Sequence, residues 1–338
     1  MDISKRKADH VNLSVSGTVN YEKKTGFERY DFIHNALPEV NFDDISTEAT
    51  LLGRTFAFPL FISSMTGGYS RAGAVNAIIA EFCEKENLPF GVGSQRILFE
   101  SSEITNSFSI VRERAPHAFI ASNIGGSQLI GGLKSEQVNL IIESIKADAI
   151  IVHLNPLQEL MQPEGDRSFK GIKEGIKQLV QDTDIPVIVK ETGAGISGEV
   201  AQELVELGVK VIDVSGAGGT SWSKVENTRD NNQLHKVSFN NWGIPTVECI
   251  LSLRKHNRND YEVIASGGIR NSFDMIKALC LGADFTAMAQ PIIKAVIEEG
   301  MDGLDESLRV LKYQFKTAMC LLGARTIEEL GYHQLRMV

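Results

Sequence analysis

Four polar side chains lie within seven residues near the middle of the chain: His153, Asn155, Gln158 and Glu159. Asn155 and Glu159 carry oxygen ligands four positions apart, which suits a hard divalent cation that keeps several of its waters. No cysteine and no second histidine accompany them, which argues against zinc. A lone histidine is usually a packed or supporting residue, but four polar side chains in one short segment are hard to explain by packing alone. We therefore predict a metal site at Asn155 and Glu159, with Gln158 and His153 directed into the same pocket.

Two glycine-containing segments late in the chain favour the binding of a phosphate group. They are residues 266–270, with the sequence SGGIR, and residues 289–291, with the sequence AQP. Glycine lets backbone N–H groups approach an anion closely, and loops of this kind commonly hold phosphate in α/β barrels. A glycine pair alone is weak support, because ordinary tight turns also use it. The glycine-rich segment 215–220 ends in Thr220, whose hydroxyl could donate to the same phosphate.

A single lysine, Lys190, ends a run of apolar residues that otherwise has the pattern of a buried strand. Burying a charge is costly unless a partner is present. One interpretation is a salt bridge to a carboxylate such as the neighbouring Glu191. The other places the ammonium beside the N1–C2=O edge of a flavin, where it would stabilise the anionic reduced form. Residues 65–68 and Asn123 could contact the other edges of the ring, although either could equally be packing at a strand end.

The first residues of the chain include the cations Arg6 and Lys7 and the histidine His10. A short basic run of this kind is usually a solvated tail. The formal net charge of the chain is −9, so a diphosphate-bearing substrate would need local cations such as these. Arg96, in the segment 93–96 (GSQR), could add a bidentate contact to the phosphate. We therefore predict an anion-binding arm in this part of the chain.

Short apolar runs that alternate with helical patterns must position these side chains. The runs are rich in β-branched residues, as expected for parallel strands that are covered on both faces. Helical periodicity fills stretches such as residues 72–86, 171–182 and 198–207. Eight strand–helix units predict an α/β fold, a closed (β/α)8 TIM barrel, with the active site on the loops that follow the strands. A doubly wound open sheet would leave half of the polar loops remote from one another. The predicted strands are residues 58–64, 88–92, 118–122, 149–153, 186–190, 211–214, 263–266 and 285–289.

The barrel is expected to form one domain over residues 1–338. We divide it into an N-terminal extension with the basic arm (1–57), the barrel itself (58–310) and a C-terminal helical segment (311–338). Residues 223–241 are polar and rich in asparagine, so we predict a mobile loop over the site there.

Composition and charge exclude several classes of protein. Apolar residues make up 43% and charged residues 23% of the chain, which is ordinary for a soluble globular protein. A net negative charge without a long basic run argues against a nucleic-acid partner. No window approaches the ~18–20 apolar residues of a membrane span, and the N-terminus lacks the pattern of a secretory signal, so we expect a cytoplasmic protein with no membrane partner. The widely spaced cysteines should be reduced and mostly buried: Cys83, Cys249, Cys280 and Cys320.

Together these motifs resemble the type 2 isopentenyl-diphosphate isomerases, and the resemblance covers nearly the whole chain. The most specific segments are residues 6–10 (RKADH) and 153–159 (HLNPLQE), whereas the glycine pairs are shared with many FMN barrels. The resemblance implies interconversion of isopentenyl and dimethylallyl diphosphate, with FMN, Mg2+ and NADPH as the reductant of the flavin. It also implies a homotetramer or homo-octamer. The other matching segments are residues 64–68, 91–96, 190–191, 213–222 and 266–270.

The same resemblance implies a role for each matching residue. Reduced FMN would provide acid/base catalysis without net redox change, with Lys190, Gln158 and His153 as catalytic side chains and Gln158 acting by orientation or proton relay. The metal would be held by Asn155 and Glu159. The substrate contacts would be Arg6, Lys7, His10, Ser94, Arg96 and Gln158. The FMN contacts would be Ser63, Ser64, Met65, Thr66, Ser94, Asn123, Lys190, Ser215, Thr220, Gly267, Gly268, Arg270, Ala289 and Gln290.

Two other functions are compatible with parts of the pattern. A 2-hydroxy-acid oxidase is also an FMN barrel, but it needs a histidine base and arginines that grip a carboxylate beside the flavin. The loops after the last three predicted strands offer Arg270 but no histidine. A flavin- or phosphometabolite-binding protein without catalysis would explain the glycine loops. It would not explain the basic arm or the polar segment 153–159.

Overall fold

The computed structural model describes residues 3–64, 71–100, 106–231, 233–254 and 260–338. A helix and three short strands precede eight parallel strands that close into a barrel. The first elements are α1 (Ile3–Ser16), β1 (Tyr30–Phe32), β2 (Ala49–Leu51) and β3 (Arg54–Phe56). The barrel strands are β4 (Leu60–Ile62), β5 (Phe90–Gly91), β6 (Ile120–Gly125), β7 (Ala149–Leu154), β8 (Val187–Glu191), β9 (Val211–Asp213), β10 (Glu262–Ala265) and β11 (Phe285–Met288).

Helices connect consecutive strands of the barrel and bury their apolar faces against it. In the helix that precedes β8, for example, Ile176 and Leu179 are buried at helical spacing, while the intervening Lys177 and Gln178 are exposed. The helices are α2 (Ala72–Glu86), α3 (Asn106–Arg114), α4 (Ser135–Glu143), α5 (Pro156–Met161), α6 (Ile172–Asp182), α7 (Gly198–Glu206), α8 (Trp222–Arg229), α9 (Leu234–Val237), α10 (Thr246–Arg254), α11 (Ser272–Cys280) and α12 (Gln290–Leu322).

The barrel strands carry apolar residues on both faces, because one face packs against the surrounding helices and the other against the barrel interior. All five residues of β8 are buried. Val187 and Val189 belong to the core between the barrel and its helices, whereas Ile188 belongs to the core inside the barrel. Each of the eight predicted strands overlaps an observed one, and β4 pairs with β11 to close the ring. The predicted (β/α)8 barrel is therefore confirmed.

A two-stranded hairpin fills the end of the barrel where the strands begin. β2 pairs antiparallel with β3, and Leu51 and Phe56 in this hairpin are fully buried. The ring of Phe56 packs edge-on against Phe119 and Phe285, with centroid separations of 5.9 and 5.8 Å. Part of the N-terminal extension is therefore barrel core. Because this end is filled by apolar side chains, the opposite end is the one available to ligands.

The C-terminal region contains a strand where the sequence predicted helix over residues 311–338. α12 is interrupted at Gly300 (φ 64°, ψ −135°) and ends at Leu322, because Gly323 adopts the left-handed conformation (φ 72°) that stops a helix. Two 3-10 turns follow, and then strand β12 (Leu335–Met337), which pairs antiparallel with β1. The structure therefore replaces the end of the predicted helical segment with turns and a strand that joins the two terminal regions.

The segment predicted as a mobile loop, residues 223–241, contains two helices instead. α8 begins after Ser221, whose side chain accepts a hydrogen bond from the backbone N–H of Lys224 at 3.2 Å. α9 is tied to α5 because the Lys236 ammonium donates to the carbonyl oxygen of Met161 at 2.7 Å. The loop prediction is therefore corrected. Several polar side chains of this segment, among them Glu226 and Lys236, make hydrogen bonds to other parts of the chain.

Two further predictions concern the membrane and the cysteines. Among the helices of the described residues, none is long and apolar enough to cross a bilayer. All four cysteines are unpaired thiols, and Cys83, Cys249 and Cys280 are buried, as predicted. Burial raises the pKa of the Cys249 and Cys280 thiols to about 12. They are therefore protonated and unreactive near neutral pH.

Candidate active site

A row of polar side chains, all buried except the half-buried His153, lies at the C-terminal ends of neighbouring strands, and we call it the polar belt. It consists of Asn123 on β6, His153 on β7, Lys190 on β8, Asp213 on β9 and Ser266 after β10. His153 Nδ1 lies 2.7 Å from the side-chain oxygen of Asn123. His153 is the register neighbour of Lys190, which in turn neighbours Asp213. The belt brings the candidate residues of separate loops into one layer, as the barrel topology requires.

The imidazole of His153 is held neutral by its surroundings. Burial, with the nearby charges of Lys190 and Lys7, lowers the pKa of His153 to about 3. A neutral ring that faces the Asn123 oxygen carries its proton on Nδ1, so Nε2 is left as an acceptor. His153 can therefore accept a hydrogen bond in the cavity, but it supplies no positive charge there near neutral pH.

Above the belt, toward α1, lies a cavity that we call the arm cavity. It contains the substrate and metal candidates predicted from the sequence, and it lies at the junction of α1 with the loops after β5 and β7. Cations from α1 and from the loop after β5 therefore face the polar residues of β7 and α5. The predicted residues that line it are Arg6, Lys7, His10, Ser64, Ser94, Arg96, Asn123, His153, Asn155, Gln158, Glu159 and Lys190.

Lys7 is the most deeply placed cation that α1 contributes to the arm cavity. Its ammonium donates to the carbonyl oxygen of Ser94 at 3.2 Å and lies over the ring of Phe108. Burial, and then the neighbouring charge of Arg6, lower the pKa of Lys7 to about 8. Arg6 is 3.9 Å from the Glu164 carboxylate. α1 is thus held over the barrel by polar contacts, and Arg6 and Lys7 line the arm cavity rather than forming a solvated tail.

Glu226 on α8 links three parts of the arm cavity, and the sequence analysis did not identify it. Its side chain is fully buried, 2.8 Å from His10 Nε2, and it accepts a hydrogen bond from the Gln158 amide at 3.0 Å. Arg229 contacts its other oxygen. Burial opposes ionisation, but His10, Gln158 and Arg229 together hold the pKa of the Glu226 carboxyl below its ordinary value. The carboxylate therefore fixes α1, α5 and α8 relative to one another.

The two predicted metal ligands lie side by side at the start of α5. The Asn155 amide donates to Glu159 Oε1 at 3.0 Å and to Gln158 Oε1 at 3.2 Å. The second oxygen of Glu159 accepts the backbone N–H of Asp166 at 2.8 Å. Among the described residues, no three histidine, cysteine or acidic side chains form a metal cluster. One carboxylate and one amide suit a cation that takes its remaining ligands from water and substrate, and this site stays a prediction.

A second cavity lies over the ends of β9, β10 and β11, and we call it the glycine cavity. It adjoins the arm cavity, because Ser64, Lys190, Thr192 and Trp222 line both. Met65 and Thr66, also predicted here, fall outside the described residues. The predicted residues that line it are Ser63, Ser64, Lys190, Ser215, Thr220, Gly267, Gly268, Arg270, Ala289 and Gln290.

The donors around the glycine cavity fit an anionic, phosphate-bearing cofactor such as FMN. The hydroxyls of Ser14 and Ser64, both at its wall, are buried and have no hydrogen-bond partner in the described chain. The Arg270 guanidinium reaches the carbonyl oxygen of Gly218 at a long 3.4 Å. Buried polar groups in proteins are nearly always hydrogen-bonded. A ligand with several acceptor oxygens would provide partners for these two hydroxyls and for the guanidinium.

The loop after β10 can approach the loop after β9 only because both are built from glycine. Gly267 has a φ of 95°, and a Cβ added there would lie against the backbone of Gly216. A side chain at this position would therefore push the two loops apart and deform the wall of the cavity. The SGGIR segment thus has a structural reason for its glycines in addition to close approach to a phosphate.

All of the predicted site residues that the structure describes line one of these two adjoining cavities. Sequence reasoning missed Glu226 and Asp213, and it gave no role to Trp222, which packs edge-on against His10 at 5.1 Å. Glu226 lies in the segment that was predicted to be a mobile loop, and Asp213 lies at the end of a predicted strand. One sequence signal could have identified Glu226. Ser221 is a typical N-cap residue that predicts the start of a helix, and Glu226 is a single acid about one turn into that helix.

Comparison with known proteins gives the class that this fold and site define. Residues 147–337 match the family model for FMN-dependent dehydrogenases. A flavocytochrome b2 variant with sulfite bound has a TM-score of 0.74 at 20% identity, covering 97% of this chain and 82% of that one. A lactate oxidase of Pediococcus acidilactici has a TM-score of 0.72 at 16% identity, covering 100% and 96%. The structural likenesses show the fold, and the family match shows an FMN-dependent protein.

Full-length relatives define the family more narrowly. An isopentenyl-diphosphate delta-isomerase of Chlorobium phaeobacteroides is 43% identical over 340 residues, covering 96% of this chain and 93% of the relative. One of Rickettsia bellii is 41% identical over 337 residues, covering 98% and 97%. The chain belongs to the isopentenyl-diphosphate delta-isomerase family, in agreement with the resemblance of its motifs.

Proposed function

We propose that the protein interconverts isopentenyl and dimethylallyl diphosphate with FMN as cofactor and without net oxidation of the substrate. One observation carries the proposal: the arm cavity and the glycine cavity meet at Lys190. A space lined by cations for an anionic substrate therefore opens onto a space whose donors fit FMN. The relatives described above support the choice of substrate.

The cations of the arm cavity would bind the diphosphate and hold the prenyl chain at one distance from the flavin. Arg6 and Lys7 approach from α1, while Arg96 approaches from the loop after β5. Three cations on two elements can grip several phosphate oxygens at once. Asn155 and Glu159 would hold Mg2+ against the same diphosphate. The metal ion would offset the negative charge of the diphosphate while the bond between the diphosphate and the prenyl carbon stays intact.

Moving a double bond requires a proton to be added at one carbon and another to be removed nearby. When bound and reduced, by NADPH in this proposal, FMN supplies groups that can exchange protons with the substrate. Lys190 places its positive charge at the flavin end of the cavity, and neutral His153 adds an acceptor beside it. These residues thus provide the electrostatic surroundings in which proton transfer takes place.

Gln158 is held at both ends, which favours orientation over proton relay as its role. Its amide nitrogen donates to Glu226 at 3.0 Å, and its oxygen accepts from Asn155 at 3.2 Å. A side chain fixed in this way presents one face to the substrate. Glu226 thereby couples the position of Gln158 to that of His10 on the arm.

Exposed apolar side chains support the proposal of a homo-oligomer. Phe273 and Tyr313 are 52% and 64% exposed and line one groove together with Leu321. Large exposed apolar patches commonly mark protein interfaces. Light scattering coupled to size-exclusion chromatography would give the number of subunits.

The direct test is an anaerobic assay of the purified protein with FMN, NADPH, Mg2+ and isopentenyl diphosphate. We expect dimethylallyl diphosphate to form without stoichiometric consumption of NADPH, and omission of FMN to abolish it. Chelation of Mg2+ should abolish it too if Asn155 and Glu159 hold the metal. Absence of product while FMN is bound and reducible would overturn the substrate assignment and leave the FMN barrel intact.

We expect the pH profile of kcat/KM to report the ionisation of Lys7. Its pKa of about 8 means that the free enzyme loses this cation as the pH rises above that value. The kcat/KM for isopentenyl diphosphate should therefore fall by up to about tenfold per pH unit in that range. Lys7→Arg keeps its charge at high pH, so its profile should stay flat there. Identical profiles for the two proteins would exclude Lys7 as the ionising group.

Gln158→Leu should lower kcat by roughly 10²-fold while FMN remains bound, because a positioned polar contact at the reacting carbons is lost. Gln158→Glu would place a second acid against Glu226 and should also be impaired. Gln178→Leu on α6, outside both cavities, is the matched control. Full turnover by Gln158→Leu with FMN bound would remove Gln158 from the mechanism.

A further inference from the structure

Asp213 is a buried carboxylate that the proposed mechanism does not use. It lies in the polar belt, is 4% exposed, and ends β9. One of its oxygens accepts hydrogen bonds from the backbone N–H of Ser215 at 3.2 Å and from the hydroxyl of Ser266 at 2.5 Å. Burial raises the pKa of Asp213 above its ordinary value, and Lys190, Ser266 and Ser215 reduce this shift without reversing it. Donors that converge on one oxygen favour the ionised carboxylate.

Lys190 is the charged neighbour of Asp213 in the belt. The two residues are register partners on adjacent parallel strands. The Lys190 ammonium donates to the carbonyl oxygen of Glu191 at 2.6 Å, and His153 on its other side is neutral. The carboxylate of Glu191, whose pKa the Lys190 charge also acts to lower, accepts the backbone N–H groups of Thr192 and Gly193 and is not part of the belt. Asp213 is therefore the belt residue whose charge can offset that of Lys190.

The two charges affect a bound flavin in opposite directions. Reduction of FMN adds two electrons and one proton and yields an anion. A nearby cation stabilises this anion and a nearby carboxylate destabilises it, and both effects are large in a buried site. Ser266, which donates to Asp213, also lines the glycine cavity. The carboxylate is thus held directly behind the wall of the cavity that fits FMN.

We propose that Asp213 is a positioning residue that, by offsetting the charge of Lys190, sets the reduction potential of bound FMN. The inference rests on the FMN site used in the proposed function, but it does not depend on the prenyl diphosphate substrate. Lys190 alone would stabilise reduced FMN relative to oxidised FMN. The negative charge of Asp213 makes this stabilisation smaller.

The test is the midpoint potential of FMN bound to the full-length protein, titrated anaerobically with dithionite and a reference dye in the absence of substrate. Asp213→Asn keeps the shape and both hydrogen bonds of the side chain but removes its charge. We expect the ratio of affinities for reduced and oxidised FMN to rise by about tenfold, a shift of about +30 mV for a two-electron couple. Lys190→Met should shift the potential downward, and the double variant should return close to the wild-type value.

Asp182→Asn is the matched control, because it removes one acidic charge from an exposed position at the end of α6. Its potential should equal that of the wild type. An unchanged or lower potential in Asp213→Asn would overturn the inference. Asp213→Asn alone could fail to fold or to retain FMN. In that case the potential of the double variant, which has neither the Asp213 nor the Lys190 charge, is compared with that of Lys190→Met. Equal potentials in those two proteins would then also overturn the inference.

Discussion

Replacing Lys190 with methionine should lower kcat for isopentenyl diphosphate by roughly 10²–10³-fold, the loss typical of one buried charge-stabilising donor. Lys190 is 8% exposed and lies where the two cavities meet. Methionine is similar in length but has no charge, so under the proposed function the anionic reduced flavin would lose its stabilising neighbour. The measurement is anaerobic formation of dimethylallyl diphosphate with FMN reduced chemically, so that slow reduction by NADPH does not limit the rate.

Two controls separate this effect from loss of cofactor or of structure. The dissociation constant of FMN, measured by flavin fluorescence, shows whether the variant is fully loaded in the assay. Lys173→Met on α6 removes a lysine that is 60% exposed, and its kcat should match that of the wild type. A kcat within about threefold of the wild type in FMN-loaded Lys190→Met would contradict the role given to this side chain.

Phe56→Ala should destabilise the protein by about 3–5 kcal/mol, the usual cost of removing a fully buried aromatic ring. Phe56 lies in the hairpin that fills the barrel, in contact with Phe119 and Phe285. Its loss leaves a cavity that rigid neighbouring strands cannot collapse to fill. Urea unfolding followed by circular dichroism, with FMN absent from wild type and variant alike, gives the change in free energy.

The matched control for this substitution is Trp242→Ala. Trp242 also contacts an aromatic ring, Phe239 at 6.0 Å, but it is 61% exposed. Its loss should cost less than about 1 kcal/mol. Equal destabilisation by the two substitutions would mean that the hairpin is not part of the barrel core and only covers it from outside.

The barrel could be predicted because each strand carries its own signal. Residues 149–152 (AIIV) of one predicted strand, for example, are all apolar, which is typical of a strand that is buried on both faces. Its polar neighbours His153 and Asn155 then follow at the end where barrel loops gather. The local composition predicted the strands, and the rule that barrel active sites lie at the C-terminal ends of the strands predicted that the main candidate site residues lie close together.

Features that depend on distant partners could not be predicted in this way. Residues 223–241 were predicted to be a loop because they are polar, rich in asparagine and poor in core-forming residues. Glu226 is buried only because His10 and Gln158 come to it from other parts of the chain. Strand β12 likewise forms because β1 is there to pair with it. A single sequence contains the residues of such contacts but no local pattern that joins them.

The pairing of β4 with β11 has a consequence for the kinetics of folding. Ile62 lies beside Met288, so the ring closes only after nearly all of its strands have been synthesised. Until then, β4 presents an unpaired edge that can add to other chains. Contacts between residues so far apart in sequence also form slowly, since the intervening chain must be ordered first. Refolding from denaturant should therefore be slow and should lose yield to aggregation as the protein concentration rises.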